Sequence, residues 1–359
     1  MLFTAKQSKH VRRLTVALLI VLALSAGSIN LHPQAQSDPT ENYQLAASYS
    51  SYHNGDAVLI LQDGEIVYED YQNGYSRREP HLLASGTKSF SCAIAAAAVE
   101  DGLISLDEKV ADTLTEWQGV TKFPYEDMTV YQLLTQTSGL PNDQGILGQA
   151  KDRLKVTLLL PLTFPPGEYF QYAPANYYAF ATVMNRKLEA ADTGDADVIA
   201  YLQRRIFDPL EIKGFDIRRD SLDLPNLAAG GLLTAREWIK YGQFILQRGM
   251  WEGEQIVPEE SIRQCFVGTA ANPYYAMSMW VEYNLKEWIP LEVMATQLIA
   301  PNQSVDGVTL GETEPTFVIF AGEGQQRMYI IPERNLVVLR FGRNDSGWSD
   351  ADFLSIIMG

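Results

Sequence analysis

Histidine is scarce in this chain of 359 residues. The four histidines are His10, His32, His53 and His81, and none lies beyond that last position. The chain also lacks the G-x-S-x-G turn that presents the nucleophile of α/β-hydrolases. These absences argue against a Ser-His-Asp triad. A nucleophilic serine in this protein therefore needs a base other than histidine.

Cysteine is nearly absent as well. Two cysteines, Cys92 and Cys265, are too few for a disulfide framework. Cys92 lies in an all-apolar helical pattern, which favours a buried free thiol, although an oxidising compartment would permit a bridge between the two. No cluster of cysteine and histidine has the spacing of metal ligands. We predict no metal and no other cofactor.

Basic residues are fewer than acidic ones. The chain has 28 Lys and Arg against 44 Asp and Glu, which gives a net charge of -16. An acidic surface repels nucleic acid and anionic lipid, so neither is predicted as a partner. Solubility alone is a sufficient reason for such a charge. The partner that we expect is a small-molecule substrate.

Residues 1–36 differ from the rest of the chain. Four basic residues precede the first acidic residue, Asp38, and residues 14–26 are mostly apolar. This pattern is typical of a secretory signal peptide. An uncleaved N-terminal membrane anchor stays open, although the run is short for a span of about 20 residues. In either case we expect residues 37–359 to be exported, to the periplasm or outside the cell.

Hairpin signals mark both ends of the exported part. In AVLILQDGEIVYEDY, residues 57–71, Asp63-Gly64 separates two β-rich runs and suits a turn with positive φ. Near the C-terminus, RMYII and LVVLRF flank a second turn, residues 332–335. We predict an α+β fold. In this fold the terminal hairpins share one antiparallel sheet flanked by helices, and a mainly helical lobe of about residues 103–227 is inserted between them.

The segment LLASGTKSFSCAIAAAAVEDG predicts a buried central helix from about Ser85 to Asp101, apolar on all sides and ended by Gly102. Its first turn places Ser85 and Lys88 on one face. Burial would desolvate Lys88 and lower its pKa, which makes the amine a base near neutral pH. The helix N-terminus favours negative charge developing at Ser85. Alone, S-x-x-K is a weak signal, since a capping serine beside a surface lysine gives the same pattern.

Six segments add to this signal: LLASGTKSF, VEDGLISLDEKVADTLTEW, MTVYQLLTQTSGLP, PPGEYFQYAPANYYAF, AAGGLLTAREWIKYGQFILQRGMWEG and FAGEGQQRMYIIPERNLVVLRFG. In this order they resemble the serine β-lactamase and penicillin-binding-protein superfamily, and within it the class C β-lactamase-related esterases and the 6-aminohexanoate-dimer hydrolases. The resemblance runs from about residue 55 to the C-terminus and implies a β-lactamase/transpeptidase-like fold. Gln136 stands where histidine is usual. Residues 280–315 match poorly and are expected to shape the pocket.

The resemblance implies roles for the residues that match the family's motifs. Ser85 is the nucleophile and Lys88 its base. Tyr172 is a second acid/base group, whose phenol pKa we expect below its usual value of about 10 because of the nearby ammonium. The backbone N–H groups of Ser85 and Glu323 would form the oxyanion hole.

The same resemblance implies the substrate contacts, at two places where the motifs depart from the family. Pro174 replaces the asparagine of the usual Y-x-N motif, so Asn176 is predicted to supply the missing amide. Phe320, Ala321 and Gly322 replace K-T-G or H-T-G and are predicted to contact the substrate. No cation then stands where penicillin-recognising members have one. Gln136, Asn176 and Glu323 also suit ordinary structural roles.

The leading hypothesis is a serine hydrolase that cleaves an ester or amide bond through an acyl-enzyme. A D-alanyl-D-alanine peptidase or β-lactamase is the alternative, which the missing cation at Phe320 disfavours. A binding or sensor domain that keeps the fold without catalysis is the alternative of another class. The presence of Ser85, Lys88 and Tyr172 disfavours it.

Overall fold

The computed structural model describes residues 39–283, 291 and 309–359. The segment predicted to be a signal peptide or anchor, residues 1–36, lies outside these residues. The α-helices of the described part are α1 (Pro39–Tyr52), α2 (Phe90–Glu100), α3 (Val130–Leu134), α4 (Gln144–Gln149), α5 (Arg153–Leu159), α6 (Ala175–Ala190), α7 (Val198–Leu202), α8 (Ala235–Leu246), α9 (Glu259–Gln264) and α10 (Asp350–Met358).

The strands are β1 (Gly55–Gln62), β2 (Glu65–Tyr71), β3 (His81–Leu82), β4 (Asp216–Ile217), β5 (Gly231–Leu233), β6 (Met250–Trp251), β7 (Glu254–Gln255), β8 (Trp280–Glu282), β9 (Phe317–Gly322), β10 (Gln326–Ile331) and β11 (Leu336–Gly342). The main sheet has the order β2-β1-β11-β10-β9-β8, and all its pairs are antiparallel. A small sheet has the order β3-β5-β4, and β6 pairs with β7.

Both predicted hairpins are present. Asp63 and Gly64 have positive φ values of 52° and 87° in the turn between β1 and β2. The second turn joins β10 to β11 and ends on Asn335, also left-handed at φ 48°. Because β1 pairs with β11, the two ends of the described body share one antiparallel sheet, as the sequence predicts.

The main sheet is covered on both faces. Helix α1 packs against α10 and β1, and α8 packs against β10 and β11. Strands β1 and β11 are therefore almost entirely buried and read as near-continuous apolar runs. Helices α3 to α7 lie in the sequence between the two ends, within the segment predicted as a helical lobe.

The central helix is buried as predicted, with residues 90–98 all shielded from solvent. Its first turn is a 3₁₀ turn, Ala84–Ser89, in place of the α-helical turn expected from the sequence. Two side chains favour this tighter turn by donating to backbone carbonyls three residues earlier: Thr87 donates to Ala84 at 2.7 Å, and Ser89 donates to Gly86 at 2.7 Å.

The prediction of a free thiol at Cys92 is wrong. Cys92 and Cys265 form a disulfide, with 5.9 Å between their Cα atoms. The surroundings of Cys92 are buried as the sequence predicts, and neither cysteine is exposed. However, α9 packs against α2 and brings Cys265 to the same buried position. Burial and pairing are compatible, because a disulfide is itself apolar.

No helix in the described part of the chain is long and apolar enough to cross a membrane.

Candidate active site

A strained turn places Ser85 at the start of the central helix. Ala84 has φ 47°, in the left-handed region that residues with a side chain rarely occupy. Strand β9 passes close to this turn, since a Cβ on Gly322 would lie 2.2 Å from the carbonyl oxygen of Leu83. Only glycine at position 322 permits that approach. Backbone strain of this kind is concentrated at functional sites, and here it sets Ser85 beside the end of β9.

Lys88 is the group next to Ser85. Its Nζ lies 3.0 Å from Ser85 Oγ and 2.5 Å from the carbonyl oxygen of Ala228. The side chain is only 3% exposed, and burial lowers the pKa of the amine to about 7, as the sequence predicts. A neutral amine can donate to Ala228 and still accept the hydroxyl proton of Ser85. This arrangement is a serine beside a base whose pKa lies near neutral pH.

The Tyr172 ring packs against Lys88, with 4.8 Å between the lysine Nζ and the centre of the ring. The ring stacks on Trp280 and meets Tyr275 edge-on. Burial raises the pKa of the phenol to about 12, and a hydrogen bond with Ser85 only partly opposes this rise. The predicted fall below 10 is therefore wrong. Tyr172 is protonated at neutral pH and suits the role of acid rather than base.

The predicted oxyanion donors lie on the two elements that meet at Ser85. Ser85 is the second residue of its 3₁₀ turn, where backbone N–H groups point away from the helix without intrahelical partners. Glu323 follows directly on β9, and both residues line one cavity. The Gln326 side chain donates to the carbonyl of Glu323 at 3.1 Å, and Gly324 donates to Asn344 at 2.9 Å. These bonds fix the turn that carries the Glu323 N–H.

This cavity has a volume of about 490 Å³ and opens above Ser85. Its lining includes two carboxylates, from Asp143 and Glu323, and the guanidinium of Arg327. Arg327 is buried and already bonded, since it donates to Asp350 at 2.8 Å and to the carbonyl of Gly322 at 3.1 Å. Among the described residues of the lining, the charge available to an incoming substrate is therefore negative.

The predicted substrate contacts on β9 do not all face the cavity. Ala321 and Gly322 line the cavity. The Phe320 ring instead points into the core against Trp238 and Tyr241, because side chains alternate across β9. The prediction that Phe320 presents its side chain to the substrate is therefore corrected.

The prediction for Asn176 is also corrected. This residue makes hydrogen bonds inside the protein and does not face the substrate. Its side chain is fully buried. The Oδ1 atom accepts from Ser138 Oγ at 2.5 Å, and Nδ2 donates to the carbonyl of Ala173 at 3.1 Å. Both ends of the amide are therefore occupied within the protein, and Asn176 stabilises the loop that carries Tyr172.

Sequence reasoning missed Tyr275, and it included Trp280 only as the first residue of the segment expected to shape the pocket. Trp280 begins the segment that matches the family poorly, so no motif pointed to it. The available signal was the density of aromatic residues in residues 274–283, since Tyr274, Tyr275, Trp280 and Tyr283 fall within ten positions. Such a cluster more often indicates a core, and Tyr275 and Trp280 are indeed buried as well as adjacent to Tyr172.

A larger cavity, of about 650 Å³, lies on the helical side of the protein beside α5 and α6. Its lining combines apolar residues, such as Leu158 and Leu159, with the carboxylates of Glu116, Asp152 and Asp220. Serine, lysine and tyrosine do not converge there as they do at Ser85. In the part of the chain that the structure describes, no group of histidine, cysteine or acidic residues is arranged to hold a metal ion.

Comparison with protein families identifies a match over most of the chain. The profile of the Beta-lactamase family matches residues 46–349. Protein flp from Staphylococcus aureus (strain MW2) is 25% identical over 174 residues, which is 44% of this chain and 34% of that protein. The protein BpOF4_21049 of Alkalihalophilus pseudofirmus is 25% identical over 232 residues, 58% of this chain and 63% of that protein. The chain thus spans less than two thirds of either curated relative.

Solved structures show the same fold. A candidate 6-aminohexanoate-dimer hydrolase from Bacillus anthracis superposes with a TM-score of 0.67 at 20% identity, covering 87% of this chain and 80% of that one. A β-lactamase/D-alanine carboxypeptidase from Pseudomonas syringae gives a TM-score of 0.67 at 14% identity, covering 89% and 98%. At these identities the likeness concerns the fold, and it confirms the predicted β-lactamase/transpeptidase-like form of the α+β class.

Proposed function

The chain belongs to the Beta-lactamase family, and we propose on that premise that it is a serine hydrolase that cleaves an ester or amide bond through an acyl-enzyme on Ser85. One observation carries the proposal. The Lys88 amine lies 3.0 Å from Ser85 Oγ and is buried, so that its pKa is about 7. A hydroxyl beside a desolvated amine is an activated nucleophile.

The proposed reaction has two halves. Neutral Lys88 takes the Ser85 proton while Oγ bonds to the substrate carbonyl carbon, and the N–H groups of Ser85 and Glu323 stabilise the oxyanion. Tyr172 then gives its proton to the leaving group as the bond to that group breaks, and Lys88 returns a proton to the phenolate. In the second half, water attacks the acyl carbon, and Ser85 leaves with the proton that the water gives up.

Covalent labelling tests this proposal directly. A fluorophosphonate probe should label Ser85, because this serine sits beside a base with a pKa of about 7. Peptide mapping by mass spectrometry after labelling checks the position. Ser89 and Ser91, in the same helix, serve as internal controls, and Ser85→Ala should abolish the adduct. An intact, folded protein without an adduct would favour the non-catalytic sensor domain instead.

The substrate class that we propose is an ester or amide without a carboxylate beside the scissile bond. The Phe320 side chain lies in the core, and Arg327 is paired with Asp350. A substrate carboxylate would therefore meet Asp143 and Glu323 at the cavity wall, and the described residues that line the cavity offer it no available countercharge. An unpaired buried charge is costly. This arrangement disfavours penicillins and D-alanyl-D-alanine peptides.

We therefore expect p-nitrophenyl esters of short acids to be hydrolysed with a much higher kcat/KM than nitrocefin. A missing charged contact costs about 2–5 kcal/mol, which corresponds to roughly 30- to 5,000-fold. The measurement is kcat/KM for both substrates on one preparation. Glu323→Gln removes one negative charge from the cavity and should reduce the ratio of kcat/KM for the p-nitrophenyl ester to kcat/KM for nitrocefin. Comparable efficiency of the wild type on nitrocefin would instead favour the β-lactamase alternative.

We also propose that residues 37–359 act outside the cytoplasm. The basic and apolar pattern of residues 1–36 supports export. The Cys92–Cys265 disulfide is a second support, since such bonds persist in oxidising compartments. Release into the periplasm or medium and attachment through an uncleaved N-terminal segment are both compatible with these observations. Fractionation of expressing cells, with an immunoblot for the full-length and shortened chains, distinguishes the two.

A further inference from the structure

The segment that carries Tyr172 is held along its length by one neighbouring loop. Thr163 donates its backbone N–H to the carbonyl of Gly139 at 2.8 Å, and Gly167 donates to Thr137 at 2.7 Å. Gln171 donates to the carbonyl of Gln136 at 2.9 Å. The loop of residues 136–139 therefore supports the approach to Tyr172, and Gln136 lies at the end nearest to it.

The side chain of Gln136 continues this support past Tyr172. Its Oε1 accepts the backbone N–H of Ala173 at 2.5 Å, and the residue is 1% exposed. The N–H groups on both sides of Tyr172, from Gln171 and Ala173, thus donate to one residue. A peptide fixed at both flanks leaves the tyrosine side chain little freedom of direction.

The backbone of Gln136 is itself in an unusual conformation. Gln136 has φ 57°, a left-handed conformation that a glutamine retains only where its surroundings impose it. The residue is thus held in a strained position from which its side chain accepts the backbone N–H beside Tyr172.

We propose that Gln136 is a positioning residue, which holds the Tyr172 phenol in line with the leaving group of the substrate. This inference rests on the proposed function of Tyr172 as the acid. Gln136 exchanges no proton itself. Its carboxamide oxygen fixes the peptide after Tyr172, so that the phenol stays at hydrogen-bonding distance from the departing oxygen or nitrogen.

The test uses the dependence of rate on the leaving group. p-Nitrophenolate leaves without protonation, whereas an alkoxide or an amine needs an acid. Gln136→Asn shortens the side chain beyond the reach of Ala173, and asparagine tolerates the left-handed backbone, so the fold should be retained. We expect kcat on an ethyl ester or alkyl amide to fall at least about tenfold more than kcat on the matching p-nitrophenyl ester. Gln136→Glu keeps an acceptor oxygen and should retain the wild-type ratio.

Two controls make the outcome decisive. Tyr125→Phe removes a different buried hydrogen bond, 2.6 Å to the carbonyl of Leu160, and should lower both rates by the same factor or leave them unchanged. Tyr172→Phe should show the full selective loss of kcat on the ethyl ester or alkyl amide relative to the p-nitrophenyl ester. If Tyr172→Phe is selective and Gln136→Asn is not, or if Gln136→Glu loses as much as Gln136→Asn, the positioning role is overturned. If Tyr172→Phe shows no selectivity, the proposed acid fails, and with it this inference.

Discussion

Replacing Lys88 by methionine should lower kcat on a p-nitrophenyl ester by on the order of 10³-fold or more. Methionine keeps the length of the buried side chain but cannot accept the Ser85 proton across the 3.0 Å contact. The loss should approach that of Ser85→Ala, because residues that act as one unit are not additive in their effects. Single-turnover release of p-nitrophenol measures the effect on the acylation step itself.

Lys122→Met is the matched control, since Lys122 is exposed on the surface and its loss should leave kcat unchanged. Circular dichroism and urea unfolding of both variants exclude a general loss of structure. Turnover of Lys88→Met within tenfold of the wild type would contradict the assignment and would mean that another group takes the proton.

The same lysine should set the pH dependence of the wild type. Only the neutral amine can act as base, and its pKa is about 7. kcat/KM should therefore fall about tenfold for each pH unit below that value and level off above it. Tyr172, with a pKa of about 12, stays protonated across this range and adds no second transition near neutral pH. In Lys88→Met the transition near pH 7 should disappear from the residual activity.

Removing the disulfide should cause the largest loss of stability. The double variant Cys92→Ala/Cys265→Ala removes a cross-link between residues 173 positions apart in the sequence. We expect its free energy of unfolding to be lower than that of the wild type by about 3–5 kcal/mol. The bond constrains the unfolded chain, and it also ties α9 to the helix that carries Ser85 and Lys88. Urea unfolding followed by fluorescence measures the difference.

Reductant supplies the control for this experiment. Wild-type protein unfolded in dithiothreitol and refolded in its presence should match the double variant, whereas dithiothreitol should not change the variant. An unfolding midpoint of the wild type that does not respond to reduction would show that the bond contributes little. Equal changes in both proteins would show that dithiothreitol acts elsewhere.

The pairing of Ser85 with Lys88 could be predicted because its cause is local. A three-residue spacing at the start of an apolar helix determines both the proximity of the groups and their burial. The hairpins at both ends were predictable for the same reason, since Asp63-Gly64 and residues 332–335 are turn signals in their own right. Each of these features depends on a few adjacent positions.

The failures concern properties that arise only in the folded chain. Cys92 and Cys265 carry no mutual signal in the sequence, and an apolar helix suits a free thiol and a disulfide equally. The pKa of Tyr172 was predicted from one neighbouring charge. Burial instead raises the pKa of Tyr172, and it also lowers the pKa of Lys88, so that the neighbouring amine is only partly charged at neutral pH. The direction of the Phe320 side chain follows from the register of β9, which the family motif does not specify.

The position of β11 in the main sheet determines when this sheet can finish folding. Strand β11 follows both β1 and β10 in the chain, yet it lies between them in the middle of the main sheet. Until it arrives, β1 and β10 each expose an apolar edge with unpaired backbone groups, the kind of edge that invites pairing with another chain. Pairing between strands as distant in the sequence as β1 and β11 is also slow. A premature stop codon after residue 335 would therefore remove the centre of the sheet, and every growing chain passes through that incomplete state.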